Sequence, residues 1–180
     1  MNSKIDTRED LDNLYNECHR LFKYKEGQLI RKTSVANNLY NAGDVAGCTH
    51  KYSGYRVLGI NKVNYKFHRI VFLMCCGYMP EVVDHIDGNI LNNKIENLRG
   101  CDTSRNAMNQ TIAKNNTSGF KGVSWDKKSK KWKVSIMKNN KYIYLGLFLN
   151  ANEGAKAYDK KALEIYGEFS KTNESMGLIK

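Results

Sequence analysis

The chain contains no apolar run of 18 residues, so nothing in it reads as a membrane-spanning helix, and a membrane is not an expected partner. Its five cysteines, Cys18, Cys48, Cys75, Cys76 and Cys101, are odd in number and include no C-x-x-C pair. That pattern supports neither a zinc ribbon nor a disulfide framework, and reduced thiols in a cytoplasmic protein are the expectation. The opening MNSKIDTRED is acidic and polar, without the apolar stretch of a secretory signal. Negative charge is also scarce: 18 Asp+Glu stand against 29 Lys+Arg, for a net charge of +11 over 180 residues. The imbalance is uneven. Residues 1–110 carry 15 basic and 12 acidic side chains, a net of +3, whereas 111–180 carry 14 and 6, a net of +8. A basic excess gathered in one part fits a polyanionic partner. With 41% apolar residues there is material for one domain or two small ones.

The densest signal is residues 83–106, VDHIDGNILNNKIENLRGCDTSRN. Asp84 offers a hard carboxylate oxygen, and His85 beside it is the side chain able to take a proton from water near neutral pH. Neighbours on a strand point to opposite faces, so the pair can address two different atoms. Asp87-Gly88-Asn89 is a turn signal, residues 92–98 have room for a helical turn or two, and 98–101 can return as a second strand. Asp102, Thr103 or Ser104 can cap a following helix, with Asn106 in its first turn or so. The expected order is strand, loop, strand, helix, with Asp84 and Asn106 able to meet at one point. A calcium loop fails on register. An EF-hand needs an oxygen ligand five residues before its glycine, and Val83 occupies that position relative to Gly88.

This spacing resembles the HNH nuclease motif, also called the ββα-metal or His-Me finger, in the form carried by the homing endonucleases of phages and mobile introns. The resemblance implies His85 as general base, Asp84 and Asn106 as metal ligands, and Asn97 as the residue that braces the loop and orients His85. Asn106 departs from the third letter of the motif name, where many relatives have His. A carboxylate oxygen and an amide oxygen suit a hard octahedral ion, Mg²⁺ first and Mn²⁺ second, better than zinc. One such ion and no small-molecule cofactor are expected.

Ahead of the motif, Leu11, Leu14, Tyr15, Cys18, Leu21 and Phe22 recur at helical spacing over residues 8–22. Glu26-Gly27 signals a hairpin, residues 37–53 read as loop, and Asn61-Lys62 signals a second hairpin between 54–60 and 63–67. Residues 68–76 suit a buried helix ending at Gly77, with Pro80 just beyond. His68, at a strand-helix junction, reads as a structural histidine rather than a second functional one. After the motif, residues 111–118 read as a linker.

From Gly119 the pattern becomes three strands, 120–125, 131–138 and 141–148, with a turn at Asn139-Asn140. A helix follows, capped by Asn150 with Glu153 placed as in a capping box, and ended by Gly167. Ala151, Ala155, Tyr158, Ala162 and Ile165 line one face of that helix, and Trp132 joins Val134 and Ile136 in the core by alternation. The elements SGFKGVSWD and AKAYDKKA resemble the Apetala-two/ethylene-response-factor DNA-binding domain over residues 118–173. That resemblance implies a sheet laid in the DNA major groove, with Lys121, Trp125, Lys133, Lys141 and Tyr144 as contacts, and beside such a sheet the basic stretch 127–131 reads as a phosphate clamp rather than a solvated turn.

The sequence therefore predicts an α+β chain: a nuclease domain over 1–110, a linker over 111–118, a DNA-binding domain over 119–173 and a tail over 174–180. The function expected is a metal-dependent, site-directed endonuclease acting on double-stranded DNA in the cytoplasm of a phage-infected bacterium. One such centre per chain means that a double-strand cut requires a second protomer or a second visit. The alternative from another class is a DNA-binding regulator whose nuclease motif is inert.

Overall fold

The structure, a computed structural model, describes residues 7–34 and 39–179. The chain divides into two compact units, Met1–Cys101 and Asp102–Lys180.

The first unit opens with α1, Arg8–Leu21, whose start is fixed by a capping box: the Thr7 hydroxyl accepts from the Asp10 N–H, and the Asp10 carboxylate accepts from the Thr7 N–H. Strands β1, Phe22–Lys25, and β2, Gln28–Arg31, form a hairpin in which Glu26 and Gly27 both take positive φ. Such two-residue turns match the twist of the flanking strands. The same device, at Asn61 and Lys62, joins β4, Arg56–Ile60, to β5, Val63–Lys66. A short β3, Cys48–Thr49, pairs with β4 inside the region expected to be loop, of which residues 37 and 38 lie outside the described residues. The β5 strand leads directly into α2, Phe67–Cys76, which ends at a left-handed Gly77. This helix is buried along most of its length, and Ile70, Val71 and Leu73 pack with Phe22, Leu29 and Leu58 in the unit's core. Burying a side chain of that size stabilises by about 1.5–3 kcal/mol. Strands β6, Val82–His85, and β7, Leu98–Cys101, pair antiparallel and complete the unit, joined by a segment that closes with a 3-10 turn at Ile95–Asn97.

The second unit begins with α3, Thr103–Met108, capped by the Asp102 carboxylate, which accepts from the Arg105 N–H. The sequence set a boundary after Gln110. The structure instead places α3 in the second unit, because its partners are there: Met108 sits in that unit's core, and the Ser104 and Tyr166 hydroxyls hydrogen-bond at 3.2 Å. Within the expected linker, the Asn116 amide donates to the Phe120 carbonyl and the Ser118 hydroxyl to the Val123 carbonyl, so its last residues belong to the turn before the sheet.

Strands β8, Val123–Asp126, β9, Lys131–Lys138, and β10, Lys141–Phe148, form an antiparallel sheet in the order β10-β9-β8. The first of these starts three residues later than expected because Gly122 is held at φ +77. A Cβ at Gly122 would lie 1.9 Å from Cδ2 of Tyr158 on α4, Ala151–Tyr166, so the backbone passes flat against that ring. At Gly154 a Cβ would meet Val134 at 2.8 Å, which fixes how closely α4 lies on the sheet. Asp159, buried on α4, accepts from the Asn173 N–H and amide and from the Glu174 N–H, tying the C-terminal turns to the helix. Both units mix helices with antiparallel sheets, the α+β class that the sequence predicts.

Candidate active site

His85 is the last residue of β6, and its side chain is 4% exposed. Its Nε2 lies 3.2 Å from the Oδ1 of Asn93, itself 2% exposed, while the Asn93 Nδ2 donates to the Leu91 carbonyl. With the amide so oriented it presents an oxygen to the ring, so Nε2 is the donor in this contact. Asn93 is thus a hydrogen-bond partner of the imidazole. Sequence reasoning passed over it because NILNNKIEN offers several asparagines and only the fold selects among them.

Asn97, expected to brace the loop and orient His85, makes its contacts with the loop. Its Oδ1 accepts from the Asp87 N–H at 3.0 Å, and its Nδ2 donates to Asp87 Oδ1 at 3.0 Å and to the Asn92 carbonyl at 2.8 Å. Its backbone carbonyl accepts from the Ile86 N–H. Asp87 in turn accepts from the Asn89 N–H and the Asn92 amide, so the residues just after His85 are pinned from several sides. Burial raises the Asp87 carboxyl pKa, but the hydrogen bonds from Asn92, Asn89 and Asn97 and the nearby His85 outweigh it, leaving the pKa below its ordinary value.

Asp84 lies directly across from Arg99 in the β6-β7 register, and its Oδ2 accepts from both Nε and Nη2 of that guanidinium at 3.1 Å. Both side chains are largely buried, as a charge pair must be paired to be tolerated there. Arg99 was not singled out from the sequence, since only the hairpin register brings it to Asp84. Asn106 lies on α3 in the second unit, its N–H bonded to the Asp102 carbonyl. Among the described residues no three His, Cys, Asp or Glu side chains gather around a possible cation position. The donors expected from the sequence, the Asp84 carboxylate and the Asn106 amide, are hard oxygens, the type that suits Mg²⁺ or Mn²⁺.

His68, expected to be structural, faces the candidate base. Its ring centroid lies 4.8 Å from that of His85 at an interplanar angle of 66°, and the Tyr55 ring lies 5.4 Å from His68 and 6.3 Å from His85. Burial, then His85, Lys66 and Arg69, push the His68 pKa down to about 3, so its ring is neutral at neutral pH.

The second unit sorts the expected DNA contacts by face. Residues directly opposite on paired strands share a face. Ser124 pairs with Lys133, Tyr144 with Ser135 and Tyr142 with Met137, and these side chains form the face away from α4. Tyr142 and Tyr144 are 73% and 58% exposed there. Trp125 pairs with Trp132, and Lys141 with Lys138, in the same alternation as Val123, Val134 and Ile136, which pack toward α4. Trp125 stands edge-on to Trp132 at 4.9 Å between centroids, so it does not share a face with Lys133 and Tyr144, and neither does Lys141. Lys121 is used internally: its Nζ donates to the carbonyls of Met108, Gln110 and Lys171 at 2.6, 2.8 and 3.2 Å. Burial lowers its pKa to about 8, with Asp159 acting against this and Lys171 adding to it.

Two comparisons with known proteins bear on the site. A curated relative, Protein 3.8 of Escherichia phage T7, is 42% identical over 59 residues, 33% of this chain and 49% of that protein. An uncharacterized HNH endonuclease of Acanthamoeba polyphaga mimivirus is 30% identical over 112 residues, 61% of this chain and 57% of that protein. The matches thus span about half the length of each relative. Residues 65–108 match the HNH endonuclease family, and the stretch so matched contains His68, Asp84, His85, Asn93, Asn97 and Asn106.

Proposed function

We propose that this chain is a metal-dependent, site-directed DNA endonuclease that hydrolyses phosphodiester bonds, with His85 as general base and Asp84 and Asn106 as protein ligands of one divalent ion, Mg²⁺ or Mn²⁺. The observation that carries the reading is the setting of His85 within the matched HNH segment: a buried imidazole, its Nε2–H directed to Asn93 and its loop pinned by Asn97. With Nε2 donating, Nδ1 takes the proton of a water that attacks the phosphorus in line with the 3′ oxygen, leaving 5′-phosphate and 3′-hydroxyl ends. When bound, the ion supplies neutralisation of the charge on the phosphoryl oxygens and the leaving oxygen. Asn93 holds the ring tautomer, and Asn97 holds the backbone that carries the ring.

The second unit is the DNA-docking part, resembling an Apetala-two/ethylene-response-factor domain in its three strands and one helix, with Lys133, Tyr142 and Tyr144 on the face offered to the duplex. Its net charge of +8 over residues 111–180 supports this assignment. Action on double-stranded DNA in the cytoplasm of a phage-infected host fits the phage T7 relative. The test is cleavage of supercoiled plasmids carrying phage genomic fragments, with Mg²⁺ present. The wild-type chain should yield nicked or linear product. His85→Ala should bind the same DNA but cut it about 10²- to 10⁴-fold more slowly, the range a positioned general base contributes. Equal cutting by the variant refutes His85 as base, and a wild type that binds DNA but never cuts it supports an inert regulator instead.

A further inference from the structure

We propose that His68 is a positioning residue for His85: its ring, together with Tyr55, forms an aromatic wall that sets the rotation of the His85 imidazole and so the direction in which Nδ1 faces water. The inference rests on the nuclease reading of His85. Three observations from one unit of the fold carry it. The two imidazoles meet at 4.8 Å and 66°, an edge-to-face contact that fixes one ring relative to the other. Tyr55 closes on both rings, and the Lys66 ammonium lies over the Tyr55 ring, 4.9 Å from its centroid, so the wall is itself supported. Finally, α2 is otherwise apolar on its buried side, through Phe67, Ile70, Val71 and Leu73, and places its one buried polar ring where it meets His85.

Burying a polar ring costs free energy that a phenylalanine or leucine at this position would not, so its placement calls for a compensating contact. A ring χ2 torsion is broad and roughly two-fold, which means that packing must select the rotation of His85. Asn93 meets His85 at the Nε2 edge, while His68 and Tyr55 lie against the ring with centroids 4.8 and 6.3 Å away, so the two rings bear on its rotation. His68 is flat and neutral, so it restrains the ring without placing a positive charge beside a group that must accept a proton. The general base then needs no reorganisation before attack, which is the contribution that orientation makes to a rate.

The test compares His68→Leu, which fills the space without a ring, and His68→Phe, which keeps the ring without its nitrogens, in the full-length chain. The expectation is a kcat for the Leu variant lowered about 10- to 10²-fold with KM for DNA unchanged, and a Phe variant that recovers most of the loss. A second readout is independent of cutting: the imidazole ¹⁵N spectrum at pH 8, with His85 identified by its loss in His85→Ala. Wild type and the Phe variant should show the Nε2–H tautomer, and the Leu variant a mixture. A Leu variant with wild-type kcat and wild-type His85 signals overturns the proposal, as does a Phe variant as slow as the Leu variant, which would assign the His68 nitrogens to the chemistry itself. Should the wild type cut no DNA, the nuclease reading fails, while the His85 spectra still decide whether His68 sets its ring.

Discussion

Asn97→Ala removes a side chain whose three hydrogen bonds go to Asp87 and Asn92. The structure gives 3.0 Å to the Asp87 N–H, 3.0 Å to Asp87 Oδ1 and 2.8 Å to the Asn92 carbonyl. A typical intramolecular hydrogen bond contributes about 1 kcal/mol net, and here Asp87 is exposed and can turn to water, so roughly 2 kcal/mol is expected for the three together. For a unit of this size that corresponds to a fall of roughly 8–16 °C in its melting midpoint. The kinetic effect should be larger than the stability loss suggests, because the freed Asp87 N–H lies two residues beyond His85, with the Ile86 N–H bond to the residue-97 carbonyl left to hold that backbone. Misplacing a reacting group by about 1 Å can cost 10²-fold in rate. The assay pairs calorimetric melting of the full chain with single-turnover cutting of supercoiled DNA, well below the lowered midpoint. A variant that melts earlier but cuts at the wild-type rate would show that the loop and the base are uncoupled, and one that melts and cuts as wild type would refute the bracing role altogether.

Other consequences are open to measurement. Because the folded Asp87 pKa lies below its ordinary value, its contribution is full above the unfolded value of about 3.9 and is lost as pH falls through the folded one. Asp87→Asn should therefore flatten the acid side of the first unit's stability profile, and an unchanged profile would count against it. Lys121→Met removes a charged donor from three carbonyls and should lower the second unit's stability by about 2–4 kcal/mol; weaker DNA binding with an unchanged melt would restore Lys121 as a DNA contact. Gly122→Ala drives a methyl into the Tyr158 ring at a left-handed position and should cost about 2–4 kcal/mol, so a wild-type melt in that variant would contradict the close approach.

The features legible in the sequence are those decided by neighbours along the chain. Glu26-Gly27, Asn61-Lys62 and Asn139-Asn140 each adopt positive φ at both positions, and recognising these pairs as turns was enough to place three hairpins. β9 and β10 follow from alternation, and α4 from its cap and its glycine stop. What stayed hidden depends on register or on contact through space. That Trp125 stands opposite Trp132 follows from the pairing of Val123 with Val134, and that pairing depends on the length of a turn whose Lys130 is left-handed. The arrival of Arg99 at Asp84, the choice of Asn93 among its neighbours and the meeting of His68 with His85 join residues 8 to 17 positions apart with no periodic signal between them. The same holds at Lys121: a lysine next to a basic sheet reads as a phosphate contact, and nothing local announces that its ammonium donates to three carbonyls.

The anchoring of α3 has a practical side. Trimming the protein after Gln110, where composition suggests a natural seam, would separate this six-residue helix from the Lys121 ammonium, from the Lys171 N–H that donates to the Met108 carbonyl, and from the Tyr166 hydroxyl. A helix so short does not persist unaided in water. Any attempt to graft residues 65–108 onto a foreign module must therefore carry the C-terminal half along, or supply replacement clasps for the helix on which Asn106 rides.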